Sequence, residues 1–113
     1  MEFSSATGAF AALAQETRLA AFRLLVRAGP AGLPAGEIAR TLGAAPSTLS
    51  THLGLLQRAG LVSSERRSRR IVYRADFEGV GALVGFLMKD CCKGHESVRA
   101  AARAAIEDEA GAA

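Results

Sequence analysis

The sequence predicts a mainly α-helical fold carrying one small β-hairpin, and two observations carry the prediction. Leu and Ala dominate a chain in which half the residues are apolar and few are aromatic, a composition that favours helix. Apolar residues recur at helical spacing along most of the chain, while one stretch, Ile71-Val72-Tyr73, strings together strong strand formers. At 113 residues there is room for one domain with one modest core. That domain is expected to span residues 1–113, with its core over about 9–92 and a helical or disordered tail at 95–113.

Taken in order, a first helix is expected through residues 9–14, with Ser4 or Thr7 as its cap. Glu16–Ala28 repeats Leu19, Phe22, Leu25 and Val26 at helical spacing and sets Arg18, Arg23 and Arg27 on the other face. Gly29-Pro30 ends that helix, and residues 31–33 read as loop. Pro34 suits a first helical position. Residues 35–42 then form a short helix with Ile38, Ala39 and Leu42 inward, terminated by Gly43.

The next helix, 46–59, starts at Pro46, with Ala45 as a weak cap because it has no side-chain oxygen. Leu49, Leu53 and Leu56 make one apolar stripe. Ser47, Thr48, Ser50, Thr51, His52 and Gln57 cover much of the remaining surface. Gly60 closes this helix. Residues 61–65 and 69–75 read as two short strands, with Arg66-Arg67-Ser68 at their turn. Asp76 is placed to cap a last major helix from Phe77 to about Cys92, with Val80, Leu83, Val84 and Leu87 apolar. Lys93-Gly94 reads as a break, and residues 96–110 as a second, Ala-rich helix fraying before Gly111.

Two short helices joined by a Gly-containing turn, with a two-stranded ribbon after the second, make a winged helix-turn-helix. Hydroxyl side chains normally weaken helix interiors. Their density at the start of the second helix therefore points to a contact surface for phosphates and base edges. Arg66, Arg67, Arg69 and Arg70 sit at or beside the tip of the ribbon. There they suit the phosphate backbone or the minor groove. Alternation along the strands puts Arg66 and Arg70, or Arg67 and Arg69, on one face.

Charge supports the same reading. Residues 1–74 hold ten Arg against four Glu, and five of the twelve arginines fall between Arg66 and Arg74. A concentrated basic segment on a small domain is the footprint of a phosphate-binding surface, or of a solvated loop that keeps the protein soluble. No charged start with a long apolar core follows Met1, and no apolar run reaches membrane-spanning length. The chain is expected to be soluble, cytoplasmic and free of membrane contact. It holds no Cys-x-x-Cys pair, no nucleotide-binding loop and no Cys-His-Asp set, so neither an enzyme nor an organic cofactor is expected.

The only two cysteines are adjacent, Cys91-Cys92. As a crosslink such a pair closes almost no loop. As a chelate it suits a soft ion or an arsenical. The pair also reads as two small apolar residues buried at a contact, or as a vicinal dithiol that oxidises reversibly.

Two runs, "STLSTHLGLLQRAGLV" and "FLMKDCC", make the chain resemble the ArsR/SmtB-type metalloregulators over about residues 9–92. The resemblance implies a homodimeric winged-helix repressor of double-stranded operator DNA that leaves when an inducer binds. It implies a recognition helix carrying Ser47, Thr48, Ser50, Thr51 and His52. It also implies a dimer built from the first and last helices, through the apolar faces of 9–13 and 83–87. One inducer site of the family, a Cys-x-Cys, would fall on Pro34 and Gly36, and its ligands are absent. A zinc site of the family would fall on Asp76 and Glu78 at one end and on Lys89 and Cys92 further along, with His95 just beyond, and these do not make a zinc set. Asp90-Cys91-Cys92-Lys93-Gly94 resembles instead the arsenic-responsive subgroup. There Cys91 and Cys92 would bind trivalent arsenic or antimony as arsenite, antimonite or an organoarsenical. A third cysteine often follows seven residues on in that subgroup, and Arg99 stands there. A thiol redox or persulfide sensor on the same scaffold is the alternative.

Overall fold

A computed structural model describes residues 1–91 and 95–112. In order, the chain forms α1 (Phe3–Leu13), α2 (Glu16–Ala28), β1 (Leu33–Pro34), α3 (Ala35–Leu42), α4 (Pro46–Arg58), β2 (Val62–Arg67), β3 (Arg70–Ala75), α5 (Phe77–Phe86) and α6 (Glu96–Ala112). The strands make one antiparallel sheet in the order β1-β3-β2. The fold is therefore the expected one, mainly helical with a small hairpin, and the hairpin gains a third short strand.

α1 starts six residues earlier than expected. Ser4 and Thr7 lie inside it rather than capping it, and Thr7 Oγ1 donates back to the Phe3 carbonyl at 3.0 Å. What fixes this helix is its row of small residues. Ala6, Ala9 and Ala12 are buried, which lets α1 lie close against the body. A row of alanines carries little apolar contrast, so periodicity alone undercounted the helix.

α2 has the expected bounds and keeps Phe22 and Leu25 of the expected face against the core, but not Leu19 and Val26. Ala21 and Leu25 are buried, whereas Leu19 and Val26 are exposed, at 44% and 38%. Residues 31–33 are not wholly loop: Leu33 pairs with Tyr73 and Pro34 with Val72. Gly32 allows this, because a Cβ there would overlap the Tyr73 carbonyl, and its φ of 69° is in the left-handed region. Pro34 is the N-cap residue of α3 rather than its first helical residue.

The core forms where α2, α3 and α4 meet the sheet. Leu25, Ile38, Leu49, Leu53, Leu56 and Leu61 are its largest fully buried side chains. Each such burial is worth about 1.5–3 kcal/mol relative to exposure. The expected stripe of Leu49, Leu53 and Leu56 is thus the inward face of α4. α5 is capped as its sequence suggests, with Asp76 Oδ1 accepting from the Gly79 amide at 3.0 Å. Gly79 is required for packing: a Cβ there would overlap the Gly60 carbonyl at the end of α4.

Past Phe86 the chain stays helical through Cys91, close to the expected end, but its hydrogen-bond pattern changes. Leu87–Cys91 forms a π-helical turn, a departure often found at functional sites. Leu83 is buried, while Val84 and Leu87 face outward. Cys92 and the expected break at Lys93-Gly94 lie outside the described residues. α6 begins where the Ala-rich helix was expected and runs through Gly111.

Candidate nucleic-acid interface

α3 and α4 form the helix-turn-helix. Gly43 ends α3 in the left-handed region at φ 64°. The Gly43 amide bonds to the Arg40 carbonyl at 3.4 Å and the Ala44 amide to the Ala39 carbonyl at 3.0 Å, a glycine-type helix stop that turns the chain sharply. Pro46 then opens α4. Because the leucine stripe points inward, Ser47, Thr48, Ser50 and Thr51 are driven to the exposed side of the first turns. Thr51 Oγ1 donates to the Ser47 carbonyl at 3.3 Å.

The two remaining polar residues of α4 behave differently. Gln57 stands near the far end of the helix, where its Oε1 accepts from Ser64 Oγ at 3.1 Å, tying α4 to β2. His52 is half-buried on the flank of the hydroxyl face. Its Nδ1 lies 3.2 Å from Arg18 Nη1 on α2.

In the wing, β2 runs on to Arg67, so the turn is Ser68-Arg69, with Ser68 at φ 58°. Residues paired directly across an antiparallel ladder share a face. Arg67 faces Arg70 and Arg66 faces Ile71. The wing pairs are therefore Arg67 with Arg70, and Arg66 with Ile71. Neither alternation expected from sequence holds, because β2 runs two residues further and β3 starts one residue later than expected.

Charge is unevenly used in the wing. Glu65 accepts from Arg67 Nε and, at 3.2 Å, from Arg74 Nη2. Arg67 and then Arg74 hold its carboxyl below the usual value. Among the described residues, Arg66, Arg69 and Arg70 have no acidic partner. Arg69 and Arg70 also line a surface cleft with Arg40, Glu37 and the first residues of α3. Sequence reasoning missed Arg40. A single cation on a short helix carries no signal until the wing tip is brought beside it.

Of the thiol pair, Cys91 closes the π-helical turn, and Cys92 lies outside the described residues. Pro34 and Gly36 sit where β1 passes into α3, and Asp76 is engaged as the cap of α5. Arg99 is on α6, with Nη1 3.8 Å from Glu96 Oε2. Among the described residues no helix is long and apolar enough to cross a membrane.

Comparison with known proteins agrees with this geometry. A helix-turn-helix domain family matches residues 13–65, from the end of α1 into β2. The HTH-type transcriptional regulator YgaV of Escherichia coli K12 is 35% identical over 69 residues, which cover 61% of this chain and 70% of YgaV. An ArsR-like transcriptional regulator from Rhodococcus sp. RHA1 superposes with a TM-score of 0.70 at 30% identity, over 92% of this chain and 93% of that one. The homodimeric winged helix-turn-helix domain of Mb0332 from Mycobacterium bovis superposes with a TM-score of 0.63 at 28% identity, over 82% of this chain and 86% of that one.

Proposed function

The chain belongs to the ArsR family of winged helix-turn-helix, DNA-binding transcriptional regulators, and from that premise we propose that it is an arsenic-responsive repressor acting as a homodimer. The observation that carries the DNA half of this reading is the hydroxyl face of α4, tied through Gln57 and Ser64 to a wing whose Arg66, Arg69 and Arg70 have no acidic partner among the described residues. Ser47, Thr48, Ser50, Thr51 and His52 enter the major groove of operator DNA. The wing arginines hold the flanking phosphates or the minor groove.

Dimerisation is supported by the homodimeric relative from Mycobacterium bovis and by apolar side chains left outside the core. Phe3 and Phe10 on α1, with Phe77, Val84 and Leu87 on and just beyond α5, are all exposed. Phe3 and Phe86 pack edge to face at 6.1 Å and join the two helices into one surface. Leu83, Ala9 and Ala12 are buried within the protomer, so the dimer surface is narrower than the faces expected from sequence. Two-fold symmetry then spaces two half-sites about one helical turn apart.

The inducer reading rests on the chemistry of the donor set. Cys91 and Cys92 offer two adjacent thiols directly after the dimer-forming helix. The position seven residues beyond the pair is Arg99, which is ion-paired with Glu96. Two thiolates suit an organoarsenical of trivalent arsenic: two S–As bonds form, and the thiol protons leave with its two hydroxyls as water. Arsenite and antimonite would bind the same two sulfurs and keep a non-protein third ligand. Holding both sulfurs on one arsenic or antimony atom strains the π-helical turn and shifts α5 against α1. That favours a dimer whose two copies of α4 no longer match the half-sites. Coupling of this kind typically amounts to about 1–3 kcal/mol.

The test is a titration of the protein on DNA fragments recovered from a randomised duplex pool, with arsenite and with phenylarsenite as releasing agents. Release by either is expected in the wild type and lost in Cys91→Ser/Cys92→Ser. Release that survives the double substitution would remove the thiol site from the mechanism. Release by peroxide, and by neither arsenical, would assign the thiols to redox sensing.

A further inference from the structure

We infer that Arg18 fixes the proton of His52, so that the recognition helix presents a hydrogen-bond donor at this position and disfavours cytosine there. The inference rests on the proposed reading of DNA by α4.

Arg18 is held at three points. Its Nε donates to the Ala12 carbonyl at the end of α1, at 2.6 Å. Its amide donates to Gln15 Oε1 at 2.9 Å. Its Nη1 reaches His52 Nδ1 at 3.2 Å. A guanidinium only donates and does not lose its proton in proteins. A ring nitrogen facing it at hydrogen-bond distance must therefore supply the lone pair. Nδ1 is the acceptor, and the imidazole proton sits on Nε2.

Nε2 has no partner among the described residues. No buried side-chain nitrogen or oxygen among them lacks a hydrogen bond, so Nε2 reaches solvent. It does so from the second turn of α4, beside Thr48 and Thr51. In the major groove guanine offers O6 and N7, adenine N7 and thymine O4, all acceptors, whereas cytosine presents its amino donor. An Nε2–H pairs with the first three and opposes the fourth. Without Arg18 the ring is free to move its proton to Nδ1, Nε2 becomes an acceptor, and cytosine is tolerated. Arg18 is thus a positioning residue for base specificity, anchored to the helix that carries part of the proposed dimer surface.

Selection of the full-length protein on a randomised duplex DNA pool tests this, comparing wild type, Arg18→Met, Arg18→Lys and His52→Ala. In the wild type, cytosine is expected to be depleted by roughly threefold to tenfold at one position of each half-site, the span of one net hydrogen bond. Arg18→Met and His52→Ala should lose that depletion at that position alone, and Arg18→Lys, which keeps a donor, should retain it. Nitrogen-15 spectra of the wild-type imidazoles should show a single Nε2–H form for His52, becoming a mixture in Arg18→Met. Two results overturn the inference even if a variant fails to fold: a wild-type ring protonated on Nδ1, or a cytosine depletion unchanged in His52→Ala. Depletion unchanged in a folded Arg18→Met does so as well. A wild type that selects no sequence overturns the DNA-reading proposal itself, and this inference with it.

Discussion

Neutralising Glu65 should strengthen DNA binding and make it more salt-dependent. Glu65 is the one acid in β2 and β3, and it holds Arg67 and Arg74. Arg74 pairs across the ladder with Ser63, near the base of the ribbon, and is poorly placed for phosphate. Arg67 is next to the turn, shares a face with Arg70, and its side chain is 58% exposed. In Glu65→Gln it becomes available on each of two wings. Two added phosphate contacts per dimer, at about 0.9 each, steepen the slope of log K against log salt concentration by up to about 1.8. By the same arithmetic, alanine at Arg66, Arg69 or Arg70 flattens the slope by up to about 1.8 per dimer. Arg67→Ala in the otherwise wild-type chain should change it far less, because Glu65 already withholds that guanidinium. Fluorescence anisotropy with a labelled duplex across a salt series reads these slopes. The reasoning fails if Arg67→Ala flattens the slope as much as Arg70→Ala, or if Glu65→Gln leaves it unchanged.

The same carboxylate should titrate anomalously. Arg67 and Arg74 favour its charged form, so its folded pKa lies below the ordinary value of 4.5. The pair's contribution is fully present above the unfolded pKa and fades as pH falls through the lowered one. NMR titration should find Glu65 protonating at more acid pH than in Arg67→Ala/Arg74→Ala. Leu53→Ala should cost about 2–5 kcal/mol in chemical denaturation, as a cavity in a fully buried site. Leu55→Ala, two residues along the same helix but 36% exposed, should stay within about 1 kcal/mol. Gly79→Ala should lower stability by about 1–3 kcal/mol, because its methyl meets the Gly60 backbone carbonyl rather than a side chain that can swing away. Val84→Asp should shift the protein toward monomer in sedimentation velocity while helix content is kept, since Val84 is 53% exposed in the protomer.

Much of this protein is legible in its sequence because local chemistry and long-range packing agree. Leu49, Leu53 and Leu56 recur at helical spacing and are the inward face of α4. That leaves Ser47, Thr48, Ser50 and Thr51 no place but the surface. Asp76 caps the helix it precedes, and Gly43 stops the one it follows. Each feature depends on residues within a turn or two of one another, so order along the chain suffices to find it.

The tertiary structure decided what depends on contacts far apart in sequence. β1 exists because Leu33 meets Tyr73, and two residues carry no strand signal of their own. The wing's register depended on where the turn falls, and that placement set Arg67 opposite Arg70 and Arg66 opposite Ile71. Glu65 selected which arginines stay available only once Arg67 and Arg74 had been folded onto its side of the sheet. His52 read as one more polar residue of a recognition helix until Arg18, 34 positions away, was found at its Nδ1. Sequence determined the fold class, the reading helix and the basic wing, because periodicity and caps are local. Which polar groups remain free to meet a ligand was settled by pairing across the fold, where a charge or proton is placed by its neighbours in space.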